Sequence, residues 1–124
     1  MSRYVLDNPA PGRELQKLLV RQSKDVDGLN KLERAFYLHL LQQGYPKIYV
    51  QSVTLKLADK CRYTCDFICI DELGNWLGYE VKGAHMWEDS WVKVKVVARM
   101  YPMIKFRMVR RGADGGWDYK DVPP

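Results

Sequence analysis

Asp66, Glu80 and Lys82 are the residues of this chain whose types and spacing could do chemistry together. Two carboxylates and one amine are the minimum set for metal-assisted hydrolysis of a phosphodiester. The carboxylates hold a divalent cation, and the amine holds the scissile phosphate or helps position and deprotonate the attacking water. The run 63–70 is rich in β-branched and aromatic residues, 71–75 (Asp-Glu-Leu-Gly-Asn) has turn chemistry, and 76–82 is a second strand-like run. A hairpin symmetric about Leu73 sets Ile70 opposite Trp76, Ile68 opposite Gly78 and Asp66 opposite Glu80. Direct cross-strand neighbours have β-carbons about 4.5–5.5 Å apart. Side chains alternate along a strand, so Glu80 and Lys82 share a face, separated by roughly 6.5 Å of rise, while Val81 points away. Like charges directly opposite are destabilising, and a divalent cation is the natural neutraliser; Mg²⁺ takes one or two carboxylates and fills its octahedron with water and phosphate. The same spacing also fits an exposed hairpin face whose carboxylates merely pair with lysines, and a one-residue slip would dismantle the geometry.

The flanking segments must position this patch. A helical run from about 87 to 101 is closed by Pro102, with Trp87, Trp91, Val94, Ala98 and Tyr101 on one stripe; Val92, Val96 and Met100 lie off it, which predicts a helix covered on two faces. Residues 104–109 alternate as a strand, and strand, helix, strand implies a right-handed parallel crossover beside the hairpin. Upstream, 29–43 forms an amphipathic helix with Leu29, Leu32, Phe36 and Leu40 buried and Gly44 at its C-terminal cap. Residues 48–57 read as one strand, and 58–62 links it to the hairpin. The order is helix, three antiparallel strands, crossover helix, strand.

With Glu33 in the first helix, Asp66 in the second core strand and Glu80-Val81-Lys82 in the third, that order resembles the PD-(D/E)XK, or restriction-endonuclease-like, nuclease superfamily. More narrowly, Val26-Asp27-Gly28-Leu29-Asn30-Lys31-Leu32-Glu33, Tyr63-Thr64-Cys65-Asp66-Phe67 and Glu80-Val81-Lys82-Gly83 are similar to small phage-borne endonucleases related to Holliday-junction resolvases. The likeness spans roughly residues 23 to 109 and rests on motif order plus spacing. It implies an α/β fold with an αβββαβ core, a mixed sheet flanked by helices. It also implies Mg²⁺ or Mn²⁺ bound by Asp66, Glu80 and Glu33, with Lys82 assisting the water and branched or structured DNA as substrate. Resolvases of this kind act as symmetric dimers, which implies a homodimer. Cys65 stands where a proline often precedes the aspartate, a departure that bears on the subfamily more than on the chemistry.

Glu33 has a second reading. Asn30 followed three residues later by Glu33 has the form of a capping box, in which Glu33 satisfies backbone donors at the helix start and has no catalytic task. Lys93 and Lys95 on the crossover helix are candidate phosphate contacts; Lys93 reads more simply as a solvated flank, whereas Lys95 projects near the Trp91 side. Arg107, Arg110 and Arg111, with Lys105, cluster on and after the last strand, and Arg13, Lys17, Arg21 and Lys24 punctuate the N-terminal segment. Both groups suit salt-dependent phosphate contact, with an ordinary basic surface as the plain alternative, and the N-terminal group suits the two equally. Cys61, Cys65 and Cys69 recur every four residues, but in a strand neighbours then stand roughly 13 Å apart, too far for one zinc ion. His85 lies in the loop after the site, where it could approach a phosphate or be an ordinary polar surface residue.

With 124 residues, a net charge of +5 and 47% hydrophobic residues but no long apolar run, the chain reads as one domain without a membrane span, suited to an acidic polymer. An odd cysteine count argues against a disulfide scaffold and for the cytoplasm, the host's if the chain is phage-encoded. Residues 1–22 read as an arm and a short helix, 23–111 as the core domain, and 112–124 as a tail whose Trp117 and Tyr119 either dock as an edge strand or stay mobile. Two alternatives to a nuclease stay open: a non-catalytic DNA-binding module on the same fold, and a protein-interaction domain built on Trp87, Trp91 and Trp117.

Overall fold

The computed structural model describes residues 4–6, 28–83 and 87–124. Its elements are β1 (Tyr4–Leu6), α1 (Lys31–Gln42), β2 (Lys47–Val50), β3 (Val53–Ala58), β4 (Cys61–Thr64), β5 (Phe67–Ile70), β6 (Trp76–Val81), α2 (Trp87–Met100), β7 (Ile104–Arg111) and β8 (Trp117–Val122). The basic residues between 13 and 24, the short helix expected at 13–22, His85 and the side chain of Trp87 lie outside the described residues.

The protein is mixed α/β. A five-stranded sheet, β2-β5-β6-β7-β8, is antiparallel except at its β6–β7 centre, and a three-stranded sheet has the order β1-β3-β4. The β5–β6 hairpin has the register expected from its turn, with Ile70 opposite Trp76 and Ile68 opposite Gly78. The turn enforces it: the Asp71 carboxylate accepts the N–H groups of Leu73 and Asn75, and Gly74 takes φ +82°. The α2 crossover brings β7 in parallel beside β6. The C-terminal segment docks as an edge strand, the first of its two readings.

The segments at 48–57 and 63–70 are each broken, not continuous as the sequence suggests. Gln51 N–H donates to Asp66 O at 2.9 Å, whereas Cys65 N–H donates to Val53 O at 3.3 Å, so Ser52 is an extra residue in the ladder. The bulge takes Gln51 to φ +44°, and the Ser52 hydroxyl turns back to Val50 O at 2.8 Å. Past this kink the two strands leave the large sheet and pair as β3 and β4 in the small one. Asp66 therefore sits at a bend, just before β5.

Two cores result. Phe36 and Leu40 of α1 pack on Val50, Phe67, Tyr79 and Val109 on one face of the large sheet. On the other face, Val94, Val97 and Ala98 of α2, with Tyr101 just after it, join Val53, Leu55 and Tyr63 of the small sheet over Ile68, Trp76 and Phe106. The Tyr101 hydroxyl donates to Lys56 O at 2.9 Å, tying α2 to β3. The off-stripe side of α2 is only partly covered: Met100 packs on the core, but Val92 and Val96 are exposed, contrary to a helix covered on two faces. Among the described residues, no helix is long and apolar enough to cross a membrane.

Candidate active site at the hairpin bend

Asp66 and Glu80 meet at the open end of the β5–β6 hairpin, both buried, at 9% and 5% exposure. The kink sets this arrangement, because a straight strand would carry Asp66 on into a regular ladder. Instead, Asp66 Oδ2 accepts the Val81 N–H at 2.9 Å, which locks the carboxylate across the strand pair beside Glu80. Its other oxygen, Oδ1, has no hydrogen-bond partner among the described residues. Burial, and then the Glu80 charge, push the Asp66 carboxyl up to about 8; the Val81 N–H and Lys82 oppose the shift, and Glu33 adds to it. The expected carboxylate pair is thus present, and the repulsion within it is only partly compensated.

Glu80 is held from two sides. The Lys82 ammonium lies 3.1 Å from Oε2, and the buried Tyr63 hydroxyl donates to Oε1 at 2.6 Å. Burial works to lower the Lys82 pKa, but the charges of Glu80, Asp66 and Glu33 outweigh it, and the amine is raised above its ordinary value. An ammonium so stabilised donates hydrogen bonds and cannot accept a proton, so of the two roles expected of Lys82 the arrangement suits holding a phosphate or positioning a water. Burial and the neighbouring Cys65 and Glu80 push the Tyr63 hydroxyl well up, so it remains a donor.

Both readings of Glu33 meet in one half-buried side chain. The capping box is formed: Asn30 N–H donates to Glu33 Oε1 at 2.9 Å and Glu33 N–H to Asn30 Oδ1 at 2.8 Å. The second oxygen, Oε2, accepts from the Gln51 amide at 3.3 Å, and the charge reaches far enough to act on Asp66 and Lys82. Glu33 nevertheless stays a step back from the pair. Among the described residues, no group of three or more His, Cys, Asp or Glu is placed to hold a metal ion. The two carboxylates that the fold brings together here are Asp66 and Glu80.

The basic candidates do not converge here. Arg107 is paired with Asp121 at 2.8 Å and lies 5.4 Å from the Tyr119 ring centre, Arg110 faces Asp118 at 3.7 Å, and Arg111 sits 4.3 Å over Trp117. The docking of β8 supplies these partners, and alternation puts Arg107 and Arg111 on the α1 face of the sheet, opposite the carboxylates. Lys93 and Lys95 are exposed on α2, but the amine over Trp91, at 4.2 Å, belongs to Lys120 instead of Lys95. Trp91 and Trp117 are half-buried against the two cores, so neither stands out as a free docking aromatic. Cys61, Cys65 and Cys69 are free thiols; the kink puts Cys65 and Cys69 in different cores, which separates them as expected.

Sequence reasoning missed Tyr63 and Gln51. A tyrosine in a buried strand reads as core, and its one signal is that a buried hydroxyl needs a partner. The polar pair Gln51-Ser52 within an apolar run was the trace of the bulge. No known protein family, curated protein or solved structure matches the chain.

Proposed function

We propose that this protein is a metal-dependent endodeoxyribonuclease with a restriction-endonuclease-like core, acting on branched or structured DNA in phage recombination or replication, in the cytoplasm and as a homodimer. The observation that carries the reading is the Asp66–Glu80 pair: two buried carboxylates at the open end of the β5–β6 hairpin, one with an oxygen that has no hydrogen-bond partner among the described residues and with its carboxyl pushed up to about 8. A fold keeps such a pair at a cost unless something neutralises it. The donor set fits Mg²⁺ or Mn²⁺, because all the oxygens are hard and two carboxylates leave the remaining positions to water and phosphate. Asp66, through Oδ1, and Glu80 would hold the cation, which when bound supplies Lewis acidity and a water of lowered pKa.

The chain's own residues do the rest. The Val81 N–H keeps Asp66 oriented, and the Lys82 ammonium donates to the phosphate or to the water lined up on it. The oxygen of that water bonds to phosphorus as one ester P–O bond breaks, and the proton it loses balances the one gained by the leaving alkoxide. Glu33 contributes negative charge from behind Gln51 and steadies the helix that carries it.

The test is cutting of labelled four-way junction and linear duplex DNA in Mg²⁺, alongside binding in Ca²⁺. Cutting that disappears in folded Asp66→Asn and Lys82→Ala proteins supports the enzyme. Binding without cutting would instead support a non-catalytic DNA-binding module, and neither activity a protein-interaction domain. Metal-dependent cutting retained by both variants would overturn the site assignment.

A further inference from the structure

The contact between Tyr63 and Glu80 crosses from one sheet to the other. Tyr63 belongs to β4 of the small sheet, Glu80 to β6 of the large one, and both are buried. At 2.6 Å the hydroxyl makes a charge-assisted bond to Oε1, in the range of the strong O–H···O⁻ class. Its direction is set by packing. Gly78, two residues before Glu80, has no side chain, and a Cβ there would stand 2.7 Å from two atoms of the Phe106 ring. Phe106 thus lies directly on β6, and the Tyr63 ring meets it edge-on, with centroids 6.4 Å apart and planes at 72°. The phenol is wedged so that its oxygen ends at Glu80. Without it, Glu80 would keep Lys82 as its one described partner, a flexible amine that can swing toward a phosphate.

We infer that Tyr63 is a positioning residue: its hydroxyl fixes the Glu80 carboxylate so that the other oxygen is presented, beside Asp66 Oδ1, to a divalent cation. The inference rests on the metal-site reading above. Groups that orient a ligand from behind typically carry on the order of 10- to 100-fold in metal affinity or activity. Tyr63→Phe keeps the ring and its contact with Phe106 and removes only the donor.

The experiment titrates Mn²⁺ into the full chain by calorimetry and, in parallel, measures the Mn²⁺ dependence of DNA cutting. Tyr63→Phe is expected to weaken Mn²⁺ binding on the order of 10- to 100-fold and to raise the half-activating Mn²⁺ concentration by the same factor. The rate at saturating Mn²⁺ should return to within a few-fold of wild type. A merely structural role for the hydroxyl gives the opposite split, a lower saturating rate at an unchanged Mn²⁺ requirement, and that result overturns the inference. So does equal Mn²⁺ affinity in wild type and variant. Should wild type bind no Mn²⁺ at all, the metal-site reading fails and this inference with it; Mn²⁺ binding by wild type that Asp66→Asn abolishes but Tyr63→Phe leaves intact sinks the role of Tyr63 alone.

Discussion

Replacing Asp66 by Asn should remove the proposed activity and, in metal-free buffer, make the protein more stable above neutrality. Unfolded, an aspartate titrates near 3.8; in the fold, burial and Glu80 carry Asp66 up to about 8. An acid whose folded pKa is raised holds its proton longer in the folded state, so its contribution to stability is complete below 3.8 and declines as pH climbs toward 8. Each pH unit in that window costs about 1.4 kcal/mol, which sets a ceiling of about 4 kcal/mol at pH 7. Asn keeps the acceptor for the Val81 N–H and carries no charge, but its amide must find acceptors, and an unmet one returns about 1–3 kcal/mol of the gain. The net expectation is about 1–3 kcal/mol in favour of the variant at pH 7, or roughly 5–10 °C in Tm, reversing to about 1–3 kcal/mol against it near pH 4, where only the amide cost is left. Thermal unfolding in EDTA at pH 4.5, 6 and 8 reads this directly. A variant less stable than wild type by the same margin at every pH would refute the electrostatic reasoning, because it would mean that Asp66 carries no strained charge.

Other outcomes follow from the same geometry. Mn²⁺ should raise the wild-type Tm more at pH 8 than at pH 5.5 and leave that of Asp66→Asn unchanged, since a cation binds the ionised pair; at 100 times its dissociation constant the gain is about 3 kcal/mol. Gly78→Ala puts a methyl 2.7 Å from Phe106 and 3.3 Å from Cys65 Sγ, which should cost about 1–3 kcal/mol by denaturant unfolding. Glu33→Gln separates capping from catalysis: an amide oxygen can still accept from Asn30 N–H, so stability should change by less than about 0.5 kcal/mol while the cutting rate falls. Equal losses in both would return Glu33 to a purely structural role. Arg107→Ala should leave the salt dependence of DNA binding unchanged because its guanidinium is taken up by Asp121, whereas Lys95→Ala, on an exposed helix face, should reduce the slope by about 1.

The hairpin register was legible because local chemistry specifies it: Asp71 and Gly74 build the turn, and the turn fixes which residues face each other. The stripe Phe36–Leu40 and the stop at Pro102 were legible for the same reason, a short-range period or a breaker. The kink at Gln51-Ser52 opposite Cys65-Asp66 was not, because β-branched runs on either side read as continuous strands and a bulge depends on how two sheets must divide over α2. With the kink unseen, Tyr63 could not be placed at Glu80. The partners of the β7 arginines were not legible, because they come from β8, a strand whose docking the sequence left open. Trp117 and Tyr119, two residues apart and so on one face of a strand, were the available hint.

That Asp66 and Glu80 share one divalent cation is tested most directly by anomalous diffraction from crystals grown in Mn²⁺. The expected result is a peak within coordination distance of Asp66 Oδ1 and one Glu80 oxygen. Glu80 still closed on Lys82 with no peak beside it, or Mn²⁺ bound only elsewhere, would contradict the site.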